Sequence, residues 1–235
     1  MSKIHSYESD EIEVRYNLKR CIHAAECVRG LPRVFNPEAR PWVQPGHASA
    51  DEVARAVCTF DQRGCVSTQI VLFEGDAEEA ASWVAALATE LERLEAALPA
   101  GDRGAESYSQ VHQLRGLAEI REAAGDGTTV RYLPGSSWTI VVTGLPEVVP
   151  VGHRTVWVVP CPSALARRSA LESLGPVLQS VGMAGTLDQA EVALQAALAG
   201  ASRVVPAAEI PFPRANWLHD GQRPLRELVR WAEWR

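Results

Sequence analysis

Hydrophobic and polar positions follow two different patterns along the chain, and the pattern changes near Cys65. Before this point, residues 11–16 (EIEVRY) alternate apolar and charged side chains, which predicts a half-buried strand. Four prolines, at positions 32, 37, 41 and 45, then exclude a long helix. A short helix is predicted from Ser49 (SADEVARAV), with Ser49 as the N-cap and Glu52 as its capping-box partner.

After Cys65, predicted strands and helices alternate. Residues 68–75 (TQIVLFEG) predict a buried strand, and Asp76 caps a helix with an apolar stripe from Trp83 to Leu98. Further strands are predicted at TVRYL, WTIVVTG, RTVWVVP, LQSVGMA and RVVP, and further helices at residues 107–124, 163–174, 187–199 and 224–234. This alternation predicts an α/β fold in which a mainly parallel sheet has helices on both faces.

Composition and charge narrow the function classes. The chain has 235 residues, 46% of them hydrophobic and 22% charged, which is typical of one large or two smaller globular domains. The net charge is -6, and the sequence has no cluster of basic residues. Binding of nucleic-acid phosphates requires such a cluster, so nucleic-acid binding is disfavoured. No apolar run approaches the roughly 18 residues of a membrane span, and the N-terminal residues have no signal-peptide core. We therefore expect a cytoplasmic protein with reduced cysteines.

The positions of the five cysteines suggest chemistry near the N-terminus. Cys21, His23 and Cys27 fall within seven residues, and such thiolates and an imidazole can converge on a soft metal centre. The two close cysteine pairs of a structural zinc site are missing. Cys161 ends an apolar run and is expected to pack there without a ligand role.

The run CIHAAECVRGLPRVFNPEARPWVQP resembles the divergent 4Fe-4S mono-cluster ferredoxin-like domains over roughly residues 7–57. The resemblance implies a small α+β module over residues 1–57, with Cys21 and Cys27 as ligands of an iron-sulfur cluster and His23 beside them. A later ligand segment of the family, CPSGAL, is replaced here by TFDQRGC, where Cys58 lies two residues from the aligned position and is a substitute ligand candidate. A bound cluster and a module that has lost it both stay open.

A second group of residues, DQRGCVSTQ, places Cys65 after a glycine and before a buried strand. Arg63 lies two positions earlier, where a cation favours the thiolate, and the backbone amides of Cys65 and Val66 could donate to a developing oxyanion. On these residues alone, a buried and inert cysteine fits equally well.

The stretch DQRGCVSTQIVLFEGD resembles the catalytic-cysteine loop of LuxC-type fatty acyl-CoA reductases, a branch of the aldehyde dehydrogenase superfamily. The similarity continues through VHQLRGLAEIREA, GSSWTIVVT, HRTVWVVP, LQSVGMAG, RVVPAAEIPFP and WLHDGQRPLRELVRW. It implies an aldehyde dehydrogenase-like catalytic domain over residues 58–235. It also implies that Cys65 takes an acyl group from acyl-CoA or an acyl-protein, and that NADPH then reduces this acyl-cysteine to an aldehyde.

The family binds NADPH in a Rossmann-like domain that precedes the cysteine, whereas the residues before Cys65 contain no Gly-rich strand-turn-helix unit. NADPH binding by this chain is therefore not expected. Reducing equivalents would come through the cluster or through a partner reductase subunit, and an acyl-transferase subunit is a further possible partner. One alternative is a non-catalytic iron-sulfur electron-transfer or binding protein with a degenerate reductase domain, and another is an inactive recombined product.

Two features near the C-terminal end leave further alternatives open. His219 and Asp220, before Gly221, predict a turn, although a His-Asp pair could instead relay a proton to the acyl site. The tryptophans at positions 217, 231 and 234 are expected to be packing residues or contacts between subunits of a homo-oligomer.

Overall fold

An antiparallel pair of strands, β1 (Ile4–Glu8) and β2 (Glu13–Asn17), opens the chain. The computed structural model describes residues 4–8, 13–25, 27–28, 34–38, 40–43, 47–102, 104–144, 151–185, 188–222 and 233. β2 confirms the strand predicted from EIEVRY. β1 was not predicted, because Ile4 and Tyr7 are its only large apolar residues and give a weak alternation.

An aromatic cluster packs against this hairpin. Trp42 donates a hydrogen bond from Nε1 to the Tyr7 hydroxyl at 2.8 Å, and its ring meets that of Tyr16 edge-on with centroids 5.0 Å apart. Phe35 also contacts Trp42 and pairs with Val43 in an isolated bridge. The tryptophan of the RPW motif therefore forms a local core for the N-terminal segment.

The central sheet has four strands in the order β3, β6, β5, β4. These are β3 (Ile70–Glu74), β4 (Thr129–Arg131), β5 (Thr139–Val142) and β6 (Thr155–Cys161). β6 pairs in parallel with both β3 and β5, while β4 joins the edge antiparallel to β5. Two of the three pairings are thus parallel, in agreement with the predicted α/β class.

Helices cover both faces of this sheet. One face carries α1 (His47–Cys58) and α2 (Ala77–Ala97), and the other carries α3 (Gly104–Ala124) and α4 (Ala164–Leu174). Along β6, Val156 and Val158 pack on the first face, whereas Trp157 and Val159 pack on the second. Burial on both faces explains why β6 is an uninterrupted apolar run in the sequence.

The predicted start of α2 is confirmed, whereas the predicted start of α1 is wrong. Asp76 forms a complete capping box with Glu79 at the start of α2. Ser49, in contrast, lies inside α1, which already begins at His47, and its buried hydroxyl accepts a hydrogen bond from Trp83 Nε1 at 3.0 Å. A tertiary partner therefore uses the oxygen that the sequence pattern assigned to an N-cap.

Helix α1 belongs to the sheet core although it lies in the predicted N-terminal module. Ala50, Val53 and Val57 pack with α2 and with the sheet in one hydrophobic cluster. The module boundary at residue 57 stays a prediction, as does the specific aldehyde dehydrogenase-like architecture of the remainder.

A second, two-stranded parallel sheet joins β7 (Ser180–Met183) to β8 (Arg203–Pro206), with α5 (Gln189–Leu198) between them in sequence. The predicted helix at residues 224–234, with Trp231 and Trp234, lies outside the described residues. Within the described part of the chain, no helix combines the length and apolarity needed to cross a membrane. The cytoplasmic location stays a prediction.

Candidate active site

Cys65 lies in a tight turn just before β3, at the N-terminal edge of the central sheet. The turn is closed by a hydrogen bond from the Ser67 amide to the Gly64 carbonyl at 3.0 Å, which makes Cys65 and Val66 its central residues. The Cys65 side chain is exposed, and Val66 is buried. In the described part of the chain, the amides of Cys65 and Val66 donate no hydrogen bond.

The segment before the turn has an unusual backbone. Phe60, Asp61 and Gln62 are three consecutive non-glycine residues with φ values of 58°, 52° and 57°, in the left-handed region. Each such residue costs roughly 1–2 kcal/mol of conformational free energy. This segment therefore requires tertiary contacts that hold it in place.

Gln62 supplies one set of these contacts. Its buried side chain donates from Nε2 to the carbonyls of Thr68 at 2.6 Å and Thr155 at 2.8 Å. Its Oε1 accepts from the Thr155 amide at 2.8 Å. Because Thr155 is the first residue of β6, these three hydrogen bonds join the loop before Cys65 to the central strand of the sheet.

Asp61 supplies the second set through a buried ion pair. Arg154, which is 2% exposed, donates from Nε to Asp61 Oδ1 at 2.7 Å and from Nη2 to the Leu98 carbonyl at 2.7 Å. Asp61 Oδ2 also accepts from the Gly101 amide at 2.9 Å. Asp61 and Gln62 thus form one anchoring network with Arg154 and Thr155. Asp61 is 93 residues from Arg154 in the sequence, and Gln62 is 93 residues from Thr155.

The Arg63 guanidinium is bound by a backbone carbonyl. Its Nη2 donates a hydrogen bond to the Asp102 carbonyl. Its contribution to a thiolate at Cys65 stays a prediction.

An imidazole lies beside the Cys65 thiol. His219 Nε2 is 3.9 Å from Cys65 Sγ, across 154 residues of sequence. On the other side of the ring, His219 Nδ1 is 2.9 Å from Asp220 Oδ2, and Gln179 Nε2 donates to Asp220 Oδ1 at 2.7 Å. The order of thiol, imidazole, carboxylate and amide is that of an activated cysteine nucleophile.

Packing behind His219 orients its ring. The Trp217 indole lies against it with centroids 4.8 Å apart, and the Arg203 guanidinium lies over Trp217 at 5.6 Å. Arg203 is itself fixed by hydrogen bonds to the carbonyls of Ile210 and Glu209. The predicted packing role of Trp217 is confirmed, and its packing partner is the histidine of the site.

The N-terminal thiols lie near one tyrosine. Cys21 and Cys27 both lie close enough to Tyr16 to act on its hydroxyl electrostatically. Loss of solvation raises the pKa of Tyr16, and the Cys21 thiol raises it further. The His23 amide donates to Cys21 Sγ at 3.4 Å, while the His23 side chain is exposed.

Cys58 lies elsewhere. It is buried at the end of α1 among the residues of the sheet core, and its charged neighbours include Arg154 and Asp61. Burial raises the pKa of Cys58 to about 11. Cys58 thus lies near the ion pair of Asp61 and Arg154 that anchors the loop before Cys65. Cys161 is buried at the end of β6, which confirms its predicted packing position.

The described residues do not by themselves complete an iron-sulfur site. A 4Fe-4S cluster takes four cysteine ligands. In the described segments, no group of three or more His, Cys, Asp or Glu side chains is arranged to hold a metal ion. The ligand roles of Cys21, Cys27, Cys58 and His23 stay predictions, and no step below runs through a cluster.

Three described helices follow parallel strands, and their N-termini are the places where a phosphate of NADPH could bind. None of the three is an open phosphate cradle in the described structure, because a side chain caps each one. The N-termini of α2, α4 and α5 are capped by the side chains of Asp76, Ser163 and Asp188. Two of these caps are carboxylates, which repel a pyrophosphate.

Comparison with known proteins gives two family matches. Residues 37–231 match the acyl-CoA reductase (LuxC) family, and residues 7–59 match the divergent 4Fe-4S mono-cluster family. The first match covers most of the chain, and the two overlap across α1. The chain therefore belongs to the acyl-CoA reductase (LuxC) family and carries a divergent 4Fe-4S mono-cluster domain at its N-terminus, which confirms both resemblances.

Curated relatives agree with the two matches. "Long-chain acyl-protein thioester reductase 2" of Photobacterium leiognathi is 25% identical over 203 residues, which cover 78% of this chain and 37% of the relative. "Uncharacterized protein YjdI" of Escherichia coli K12 is 32% identical over 53 residues, which cover 23% of this chain and 70% of the relative. The chain thus spans little more than a third of the reductase that it resembles.

Proposed function

We propose that this chain performs the acyl-transfer part of an acyl-thioester reduction, with Cys65 as the acyl acceptor. The observation that carries the proposal is the exposed Cys65 thiol, held on an anchored turn 3.9 Å from the His219 imidazole, in a chain of the LuxC family. The substrate class is a thioester, acyl-CoA or acyl-protein, in which a sulfur leaving group departs as readily as the attacking thiol.

In the first step, Cys65 Sγ attacks the thioester carbonyl carbon and its proton passes to His219 Nε2. The bond from carbonyl carbon to the substrate sulfur then breaks, and the departing thiolate takes the proton from His219. The products are an acyl-Cys65 thioester and free CoA or the free carrier thiol. The two unpaired amides of Cys65 and Val66 support the tetrahedral oxyanion that forms between these events.

NADPH, when bound, would supply the hydride that converts the acyl group on Cys65 to an aldehyde and leaves the Cys65 thiol free. Because the three helix N-termini described above are closed by their own caps, we assign NADPH binding to a nucleotide domain outside the described residues or to a partner reductase subunit. An aldehyde dehydrogenase-like arrangement of the catalytic domain is part of the same proposal, and helices on both faces of a mostly parallel sheet support it.

The test is a burst experiment with the full chain and a long-chain acyl-CoA, in which released CoA is separated by chromatography. We expect a rapid release of about one CoA per chain from the wild type and none from Cys65→Ser, whose hydroxyl is a far weaker nucleophile. Cys161→Ser is the matched control, because it changes a buried thiol outside the site. A burst that persists in Cys65→Ser would contradict the proposal.

A further inference from the structure

The imidazole that accepts the Cys65 proton during acyl transfer stays beside the sulfur once the acyl group has been transferred. Once the acyl group is on Cys65, transfer of a hydride to its carbonyl needs no general base. The structure nevertheless keeps His219 Nε2 facing the sulfur, with Asp220 on Nδ1 at 2.9 Å and Gln179 on Asp220 at 2.7 Å. A carboxylate on Nδ1 fixes the tautomer that leaves Nε2 as the proton acceptor.

Water has access to this imidazole. The side chains of His219 and Asp220 are 47% and 58% exposed, and the Cys65 thiol is exposed as well. A cavity of about 330 Å³, lined in part by Gln179 and Asp220, opens beside the carboxylate. At roughly 30 Å³ per molecule, such a space admits several waters. Solvent can therefore reach both the His219 imidazole and the acyl-cysteine without any further component.

The loop geometry keeps the base in position rather than leaving it to rotate. Asp220 has a left-handed backbone, with φ of 50°, which turns its carboxylate back onto the ring of the preceding residue. The amide of Gln222 donates to the His219 carbonyl at 2.9 Å, and Trp217 packs on the ring. A residue with a left-handed backbone and a packed indole at the same imidazole indicate that the surrounding structure holds the ring in place.

We infer that His219 is the general base of a second activity of this chain, the hydrolysis of the acyl-Cys65 thioester to a free fatty acid, with Asp220 and Gln179 as positioning residues. This inference rests on the proposed function, because it requires the acyl-cysteine. It makes the chain a thioester hydrolase whenever hydride is not supplied.

The step is balanced without any electron donor. A water oxygen attacks the acyl carbon of acyl-Cys65 while one water proton passes to His219 Nε2. The bond between the acyl carbon and Cys65 Sγ breaks, and the proton on His219 is returned to the Cys65 thiolate. Together with acylation, one acyl-CoA and one water give one fatty acid and one CoA thiol, with no change of oxidation state.

The experiment uses the full chain, palmitoyl-CoA and ¹⁸O-labelled water, without NADPH. Three quantities are followed, namely CoA release, ¹⁸O in the released fatty acid, and acyl-Cys65 by mass spectrometry of quenched protein. For the wild type we expect a burst followed by continuing turnover, with one ¹⁸O atom gained per molecule of acid. For His219→Gln, acylated by long incubation and then freed of excess palmitoyl-CoA, we expect release of the fatty acid from acyl-Cys65 to be at least about 100-fold slower than for the wild type treated in the same way.

Two further variants separate catalysis from folding. Asp220→Asn keeps the size of the side chain but removes the charge behind the ring, so we expect slower deacylation and a shifted pH dependence of deacylation. His112→Gln changes an exposed histidine on α3 and is expected to retain wild-type turnover. Rescue of His219→Gln by added imidazole would support the base role specifically.

The possible results separate the two proposals. If acyl-Cys65 forms but remains stable in the wild type, or if hydrolysis is unchanged in His219→Gln, the hydrolase inference is overturned and the acyl-transfer proposal stands. If no acyl-Cys65 forms, both are overturned.

Discussion

Replacement of Gln62 by alanine tests the anchoring of the catalytic loop. The change removes three hydrogen bonds, of 2.6, 2.8 and 2.8 Å, that join the loop to Thr68 and Thr155. Alanine keeps a Cβ, so the cost of the left-handed backbone at this position is unchanged and the side-chain contribution is isolated. At about 1 kcal/mol net per hydrogen bond, we expect Gln62→Ala to lose about 3 kcal/mol of unfolding free energy.

The assay is urea unfolding followed by circular dichroism, with a thermal melt in parallel. For a chain of this size, 3 kcal/mol corresponds to a melting temperature lowered by roughly 6–12 °C. Gln113→Ala is the matched control, because Gln113 is exposed on α3 and its loss is expected to change stability by less than about 0.5 kcal/mol. A loss below about 1 kcal/mol in Gln62→Ala would refute the anchoring role.

Further predictions concern the ion pair and the thiols. Asp61→Asn leaves the Arg154 cation buried without its counter-charge, so urea unfolding is expected to show a loss of about 3 kcal/mol, and an unchanged midpoint would contradict this. Iodoacetamide is expected to modify Cys65 much faster than Cys58 in the native protein, as measured by peptide mass spectrometry; equal rates would contradict the burial. Because burial raises the Cys58 pKa from 9.0 to about 11, the folded state loses stability as pH rises through this interval. Cys58→Ala should reduce that loss. A fall in the iron content of the anaerobically purified variant would support the predicted ligand role of Cys58, and an unchanged iron content would contradict it.

The regular elements around the site were predictable from the sequence because local patterns determine them. The apolar run of RTVWVVP gave β6, and the stripe beginning at Trp83 together with the cap at Asp76 gave α2. The helix-covered parallel sheet follows from their alternation. The acyl-acceptor role of Cys65 is a prediction that rests on the resemblance of its loop sequence to the LuxC family.

The contacts that make Cys65 a site were less accessible to sequence analysis. His219 lies 154 residues from Cys65, and Arg154 lies 93 residues from Asp61, so no local periodicity relates them. The sequence predicts a turn at the His-Asp dipeptide and leaves a proton relay open, because no local pattern distinguishes the two roles. Ser49 shows the opposite error, in which a convincing local cap motif was overridden by a tertiary hydrogen bond to Trp83.

The account depends most on Cys65 being the residue that carries the acyl group. The direct measurement is peptide mapping by mass spectrometry after a brief incubation of the full chain with palmitoyl-CoA at neutral pH. We predict a hydroxylamine-sensitive palmitoyl adduct on the peptide that contains Cys65, with Cys27, the other exposed thiol, as the internal reference for non-specific acylation. An adduct on Cys27 with Cys65 unmodified, or equal acylation of the two thiols, would contradict the account.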